Sequence, residues 1–344
     1  MKKIFLIGLT AAVMMASCSN DETVEMAQQK AISFSNAFVN NGTRSIVDPS
    51  FTTTSLNDFA VYGFTQKGQI FNGDKVSKGG SASTGWSYAN LQYWVPGNTY
   101  TFGAIAPHGV TVSDVKLPAG ATKVEMKVAF TNTDEGQVDL LHAEPAQITD
   151  VTATYTTPVY MTFNHQLSKV KFSFQNSVGA GYNVKVSNVK ITDAYEKGTL
   201  TVGATENTWS NQTDKALVLN FGNVVADGAT ADEAAVIANA ATLESYNEKL
   251  MIPMVSSATY TVTFTVELFK DNVPLGTYNH TVQIKNVEFK LGYCYDFKAT
   301  LTHENIVDPE NPLKPIEFKV DGITDWNQTD VNQNLNVPTT HSGI

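Results

Sequence analysis

Arginine is almost missing from this chain of 344 residues: Arg44 stands alone, and every other Lys or Arg position is a lysine. Cysteine is nearly as scarce, with only Cys18 and Cys294. Two thiols build no disulfide framework, so packing has to hold the fold. Charge is sparse as well, at 16% of residues with a net charge of -10 at pH 7, and no basic block follows the first few positions. That balance excludes nucleic acid as a partner, because the cationic surface that neutralises phosphates is missing.

Chemistry-bearing patterns are also lacking. The histidines His108, His142, His165, His280, His303 and His341 are scattered, with no i, i+4 pair to grip zinc from one helical face. There is no Gly-x-Ser-x-Gly elbow and no phosphate-cradling glycine loop, and so no platform for nucleophilic or phosphoryl chemistry. Cys294 lies between Tyr293 and Tyr295 in a strand-like run, where a buried, inert thiol is expected. Asp134, Glu135 and Asp139 crowd a turn around Gly136 without the spacing of a calcium loop; a solvated turn is expected there. No cofactor and no enzymatic mechanism follow from these residues, and a hydrolase would require two carboxylates facing each other across a cleft.

What is present is a β-forming composition. Apolar residues make up 42% of the chain, and Thr, Ser, Asn, Val and Tyr are abundant, a mix that favours strands and turns. The length suggests two domains. At the start, Lys2 and Lys3 precede the apolar stretch Ile4 to Met15, and Met15-Ala16-Ser17-Cys18 puts small residues before a cysteine. This is the layout of a bacterial lipoprotein signal, with Cys18 as the lipidated N-terminus. The stretch is shorter than the roughly 20 apolar residues of a spanning helix. An ordinary secretory signal that happens to end near a cysteine would give export as well. The polar leader Ser19-Asn20-Asp21-Glu22 is expected to stay solvated.

From Ala31 the pattern alternates: Ile32, Phe34 and Phe38 share one parity and Ser33 and Ser35 the other, as in a half-buried strand. Short strand-like runs then recur, punctuated by Gly, Pro and Asn. A Thr-rich passage from Ala146 to Thr157 separates two series of them, and Asp232 to Ala241, rich in Ala, reads as the one helical stretch. Asp308-Pro309-Glu310-Asn311-Pro312 forms a stiff linker. Beyond it Ile316, Phe318 and Val320 alternate with Glu317, Lys319 and Asp321, Gly322 permits a bulge, and Ile323 and Trp326 resume the apolar face. The aromatics Trp86, Tyr88, Tyr93 and Trp94 offer faces for sugar rings, but their strand-like setting favours core packing.

Arg44 sits in a Gly-Thr-Arg-Ser loop, open to a protease that recognises a guanidinium and passes over lysines. A leftover arginine in a lysine-biased sequence is the plainer account, and both stand open. Cutting between Arg44 and Ser45 would remove Ile32, Phe34 and Phe38 together with the lipid, exposing a sheet edge. The tail from Pro315 to Trp326 has the pattern to refill such a groove in a neighbouring molecule, and four buried apolar anchors would contribute about 10 kcal/mol before ordering costs. It could equally be the last strand of its own sandwich.

Several stretches resemble the fimbrillin family of type V pilins: Phe59-Ala60-Val61-Tyr62-Gly63-Phe64, Tyr93-Trp94 followed by Tyr100-Thr101-Phe102-Gly103-Ala104, Asp139-Leu140-Leu141-His142-Ala143, Phe163-Asn164-His165-Gln166-Leu167-Ser168-Lys169-Val170, Gly292-Tyr293-Cys294-Tyr295 and Ile323-Thr324-Asp325-Trp326. The resemblance runs from Ile32 to Trp326. It implies an all-β fold of two tandem transthyretin-like Greek-key β-sandwich domains with a C-terminal donor-strand-like tail. It also implies export as a lipoprotein to the outer membrane, processing by an arginine-specific protease, and assembly with other pilin subunits into a fimbrium. The expected organisation is a signal peptide at 1–18, a leader with a removable first strand at 19–44, sandwiches at 45–150 and 151–307, and a linker with the donor tail at 308–344. A permanently lipid-anchored adhesin or glycan-binding lipoprotein is the alternative.

Overall fold

A computed structural model describes residues 30–39, 56–79, 85–309 and 314–325, with the backbone alone for 36–39 and 255–257. In chain order the first half supplies β1 (Phe34–Val39), β2 (Asp58–Thr65), β3 (Gly68–Lys78), β4 (Trp86–Ser87), β5 (Tyr100–Ala106), β6 (Thr111–Lys116), β7 (Glu125–Thr131), β8 (Leu141–Ala143) and β9 (Val159–His165). The second half supplies β10 (Ser168–Asn176), β11 (Tyr182–Ala194), β12 (Lys197–Val202), β13 (Asn207–Thr213), β14 (Leu217–Gly222), β15 (Val224–Val225) and β16 (Thr242–Ser245). After them come β17 (Lys249–Met251), β18 (Met254–Lys270), β19 (Val273–Phe289), β20 (Tyr293–Leu301), the short helix α1 (His303–Val307) and β21 (Phe318–Asp325).

Alternation decides which strands face water. In β7, Met126, Val128 and Phe130 are buried while Lys127, Ala129 and Thr131 are exposed, the period-two signature of a strand with one wet face. In β5 every residue is buried, so that strand must be covered on both faces. It lies in the middle of a seven-stranded sheet ordered β1-β9-β8-β5-β2-β3-β4. One face of this sheet presents Ala60, Tyr62 and Ile105 to Met126, Val128, Leu200, Val202 and Trp209 of a four-stranded sheet ordered β13-β12-β7-β6. The close approach needs glycine: a Cβ on Gly103 would lie 3.1 Å from Val124 Cβ.

The other face gathers Phe59, Val61, Phe71, Phe102 and Phe163 into a second core. Here the sheet curls. Phe34 of β1 and Phe71 of β3 are five strands apart, about 24 Å across a flat sheet at ~4.8 Å per strand, yet their ring centroids are 5.7 Å apart. At the opposite end of the chain, the sheet β15-β16-β10-β20-β21, with β17 also on β10, faces the sheet β14-β11-β18-β19. Phe172, Phe174, Phe221, Tyr260, Phe264 and Phe297 fill the space between.

The two halves of the chain interlock. β9 pairs within the first sheet, beside β8, and β12 pairs antiparallel with β7 from Lys197 opposite Thr131 to Val202 opposite Met126. Hydrogen bonding therefore crosses the expected boundary near residue 150. Trp209 seals the joint by donating its indole N–H to the Gln166 carbonyl at 2.7 Å.

Two expectations are corrected. Asp232 to Ala241 forms turns rather than a helix; Ile237, fully buried, bridges Val184 of β11 with N–H to O distances of 2.8 and 3.2 Å. Alanine propensity is a weak force beside one isoleucine that gains a complete core site and an edge pairing. The acidic turn is not simply solvated: Asp139 Oδ2 lies 2.6 Å from His165 Nδ1. Asp134 accepts from the Asn220 N–H at 2.7 Å and pairs with Lys249 at 2.9 Å. Asp134 thereby ties the first half to the second, and Asp139 fixes the end of β9. Among the described residues, the one helix is α1, whose N-cap Thr302 and Asn305 bond each other reciprocally.

Burial pushes the imidazoles of His142 and His280 down to about 4. Both are neutral in the fold, and the unfolded chain takes up their protons first as pH falls below about 6.5. Stability should therefore be full above pH 6.5 and fall until about pH 4, by up to about 3 kcal/mol for each histidine. Urea midpoints measured from pH 8 to pH 4 test this, with His280→Phe shrinking the loss; a flat profile would refute it. Trp209→Ala should cost about 3–5 kcal/mol and split one unfolding transition into two, read by urea titration with far-UV circular dichroism.

Candidate functional site

The molecule has two ends. At one, here the apex, lie Val159, Tyr100 and the turn from Thr65 to Gly68, since Thr65 pairs with Tyr100 and Gln66 reaches the Gly97 carbonyl at 3.2 Å. The strands run from there to Ala106, Leu141 and His165 at the joint. From the joint β10 and β20 run in parallel to Asn176 and Leu301 at the far end, the base. The tip of the β18–β19 hairpin reaches the same level, as Lys270 pairs with Tyr182 and the Asp271 N–H donates to the Gly181 carbonyl at 2.9 Å.

At the apex the leader closes the curled sheet. Residues 30–32 meet 92–94, with Ile32 N–H to Gln92 O at 2.7 Å and Trp94 N–H to Lys30 O at 3.0 Å. β1 then pairs parallel with β9, Phe34 opposite Val159 and Phe38 opposite Thr162, with a register shift between Ser35 and Phe38. The Tyr88 hydroxyl donates to the Ile32 carbonyl at 2.6 Å. Ile32 and Phe34 are buried, and the Phe34 ring lies 5.6 to 6.1 Å from those of Tyr88, Phe71, Phe59 and Phe102. Together these two side chains stabilise the apex by about 3–6 kcal/mol on burial alone. The side chain of Phe38 lies outside what is described.

At the base the tail returns along its own sheet. β21 pairs antiparallel with β20, Phe318 opposite Ala299 and Asp325 opposite Tyr293, and Asp321 is the extra residue of a bulge between Asp296 and Phe297. Ile316 is buried. Phe318 sets its ring 5.1 Å from Phe172, 5.7 Å from Phe174 and 5.8 Å from Phe264. Ile323 is half-buried against the same core. Paired in this way within its own chain, Val320 is 41% exposed, because the bulge follows it directly and the strand is an edge whose inward face is only part covered. Lys314 pairs with Glu304 of α1 and holds the root of the tail.

Cys18, Arg44, Ser45 and Trp326 lie outside the described residues. The aromatic group divides: Trp94 is core, Trp86 and Tyr88 are half-buried, and Tyr93 is exposed. The Tyr88 contact to the leader was not legible in sequence, since nothing local links it to a carbonyl 56 residues earlier. Burial drives the Cys294 thiol up to about 12, which suits an inert side chain. Among the described residues no cluster of His, Cys, Asp and Glu could hold a metal.

A curled, strand-capped sheet that shares hydrogen bonding with a second set of packed sheets defines a class of multi-sheet β-sandwich proteins. Residues 43–320 match the family model described as Fimbrillin-like, and the chain belongs to that family, whose members are structural fimbrial proteins rather than enzymes. The match begins after β1 and ends inside β21. The fold is similar to that of a fimbrial protein from Bacteroides vulgatus, with a TM-score of 0.56, 16% identity, and 86% of this chain and 99% of that chain covered. The fimbrial anchor protein Mfa2 from Porphyromonas gingivalis aligns at a TM-score of 0.37 and 11% identity, over 87% and 99% of the two chains. No curated protein sequence matches the chain.

Phe34→Ala should destabilise the uncut protein by about 3–5 kcal/mol, while Val320→Ser on the exposed side of β21 should change stability by less than about 0.5 kcal/mol. Chemical denaturation monitored by tryptophan fluorescence compares the two. Equal effects would mean that Phe34 is not the anchor described.

Proposed function

We propose that this chain is a structural fimbrial subunit, exported as a lipoprotein precursor through Cys18 and activated by an arginine-specific protease that cuts between Arg44 and Ser45. It then polymerises by donor-strand exchange with other subunits, supporting adhesion and biofilm formation at the cell surface. The observation that carries the reading is the leader: Ile32 and Phe34 are fully enclosed by residues far along the chain. Their strand joins the sheet through an edge pairing to β9, so a single cut after it leaves a groove with no chain crossing to repair.

A filled edge is stable and an emptied edge is adhesive, because unpaired N–H and C=O groups beside an apolar trough recruit another strand. The tail supplies the matching pattern. Ile316 and Phe318 already sit in apolar sites on their own sheet, and a strand that is half-covered there loses little by transferring to a deeper groove. Ile323 follows in the shifted register. The lipid on Cys18 would hold the precursor at the outer membrane until the cut, and the polymer would hold it afterwards.

The alternative, a permanently anchored adhesin that keeps its lipid, is favoured by one feature: β21 is paired in cis along seven residues of β20. The two readings part in one experiment. Purified full-length chain treated with an arginine-specific protease should lose everything up to Arg44 and then form ladders that resist sodium dodecyl sulfate. Arg44→Gln should block both steps, and removal of residues 314–344 should abolish the ladders alone. A trimmed chain that stays monomeric would overturn the donor-strand reading and leave the anchored adhesin.

A further inference from the structure

We propose that the tip of the β18–β19 hairpin, Val273-Pro274-Leu275, docks on the apical face formed by Leu91, Tyr93 and Tyr160 of a second copy of this chain, a head-to-tail contact beside the transferred strand. The inference rests on the donor-strand reading and adds to it a surface outside the groove.

Both surfaces are apolar and open. Val273 is 60% exposed and Leu275 49%, in a hairpin tip that Asp271 and Asn272 turn with positive φ of 49° and 65°. Tyr160 is 52% exposed, and Leu91 and Tyr93 are exposed as well. The apical residues flank the leader on its outer side. Tyr93 is the bridge partner of Ala31 and Tyr160 pairs with Ser35, so the small outward side chains of the leader leave both rings bare. Exposed large apolar groups at matched ends of a monomer are a mark of interaction sites rather than of ordinary surface.

Geometry selects the occupant. The tail is rooted at the base by α1, and the groove opens at the apex. The eight residues from Asp308 to Pro315 extend at most about 28 Å, so a tail that enters a neighbour's groove must draw its own base against that neighbour's apex. The hairpin tip stands at the base, beside the root: the Tyr182 ring, in register with Lys270, lies 5.9 Å from the His303 ring of α1. A contact between unlike ends repeats from copy to copy, and builds a filament where its rotation does not close a ring. The tip therefore meets the rim as a consequence of strand transfer, and its apolar cover slows the reverse step.

The test uses the trimmed full chain with Val273→Asp and Leu275→Asp together, and a labelled synthetic peptide of residues 314–344. The double variant should melt at the unmutated temperature, because both side chains are exposed, and should capture the peptide normally. Its preformed ladders should dissociate about tenfold faster, and Tyr93→Lys added to the same chain should restore them by opposite charge. Dissociation at the unmutated rate, with peptide capture intact, would overturn the apical contact and spare strand exchange. Failure of the unmutated trimmed chain to capture the peptide would instead remove strand exchange, and the contact with it.

Discussion

The antiparallel pairing of β7 with β12 is the constraint on which the rest depends. By running one sheet through both halves of the chain, it fixes the leader pairing at β9 and the root of the tail at opposite ends of the molecule. Without it the two halves would be held only by the side-chain ties at the joint, and motion between them would be the default expectation. Around this pairing the polar motifs fall into place. The pair of Lys169 and Glu248 at 3.0 Å, that of Asp139 with His165, and the Gln137 side chain on the Leu250 backbone at 2.8 and 2.9 Å all satisfy groups that the joint buries. Breaking one partner of such a buried pair would leave the other polar group without its contact, which is the larger cost.

Edge strands are where the fold is most exposed to error, and the chain manages the two that matter by covering them with its own termini. The leader covers the edge at β9, and β21 covers the edge at β20. The two covers differ in depth. Phe34 is ringed by four aromatics in a curled sheet, whereas β21 lies on an open flank with Val320 facing solvent.

Much of the leader was legible in the residue pattern. Parity alone assigned Ile32 and Phe34 inward, because a strand's period of two leaves no other choice. Likewise Gly322 announced a bulge, which the β20–β21 register contains. The misses share one cause, a local signal overridden at long range. Asp232 to Ala241 has helix-forming alanines, but Ile237 finds a better site against Val184. Asp134 and Asp139 look like surface acids until Lys249 and His165 arrive from 115 and 26 residues away.

By itself the sequence determined composition-level and nearest-neighbour facts: an all-β chain, a basic and then apolar start ahead of Cys18, a lone arginine, amphipathic alternation near both ends, and no catalytic pattern. Each depends on side-chain chemistry and periods of two. The tertiary structure alone decided that the first sheet curls, that its gap is closed by a parallel leader strand, and that the tail folds back on β20. It also decided that both halves share a sheet. Those outcomes follow from pairings between segments distant in the chain, as for β1 and β9, where hydrogen-bonded edges and buried rings choose partners that no local pattern can name.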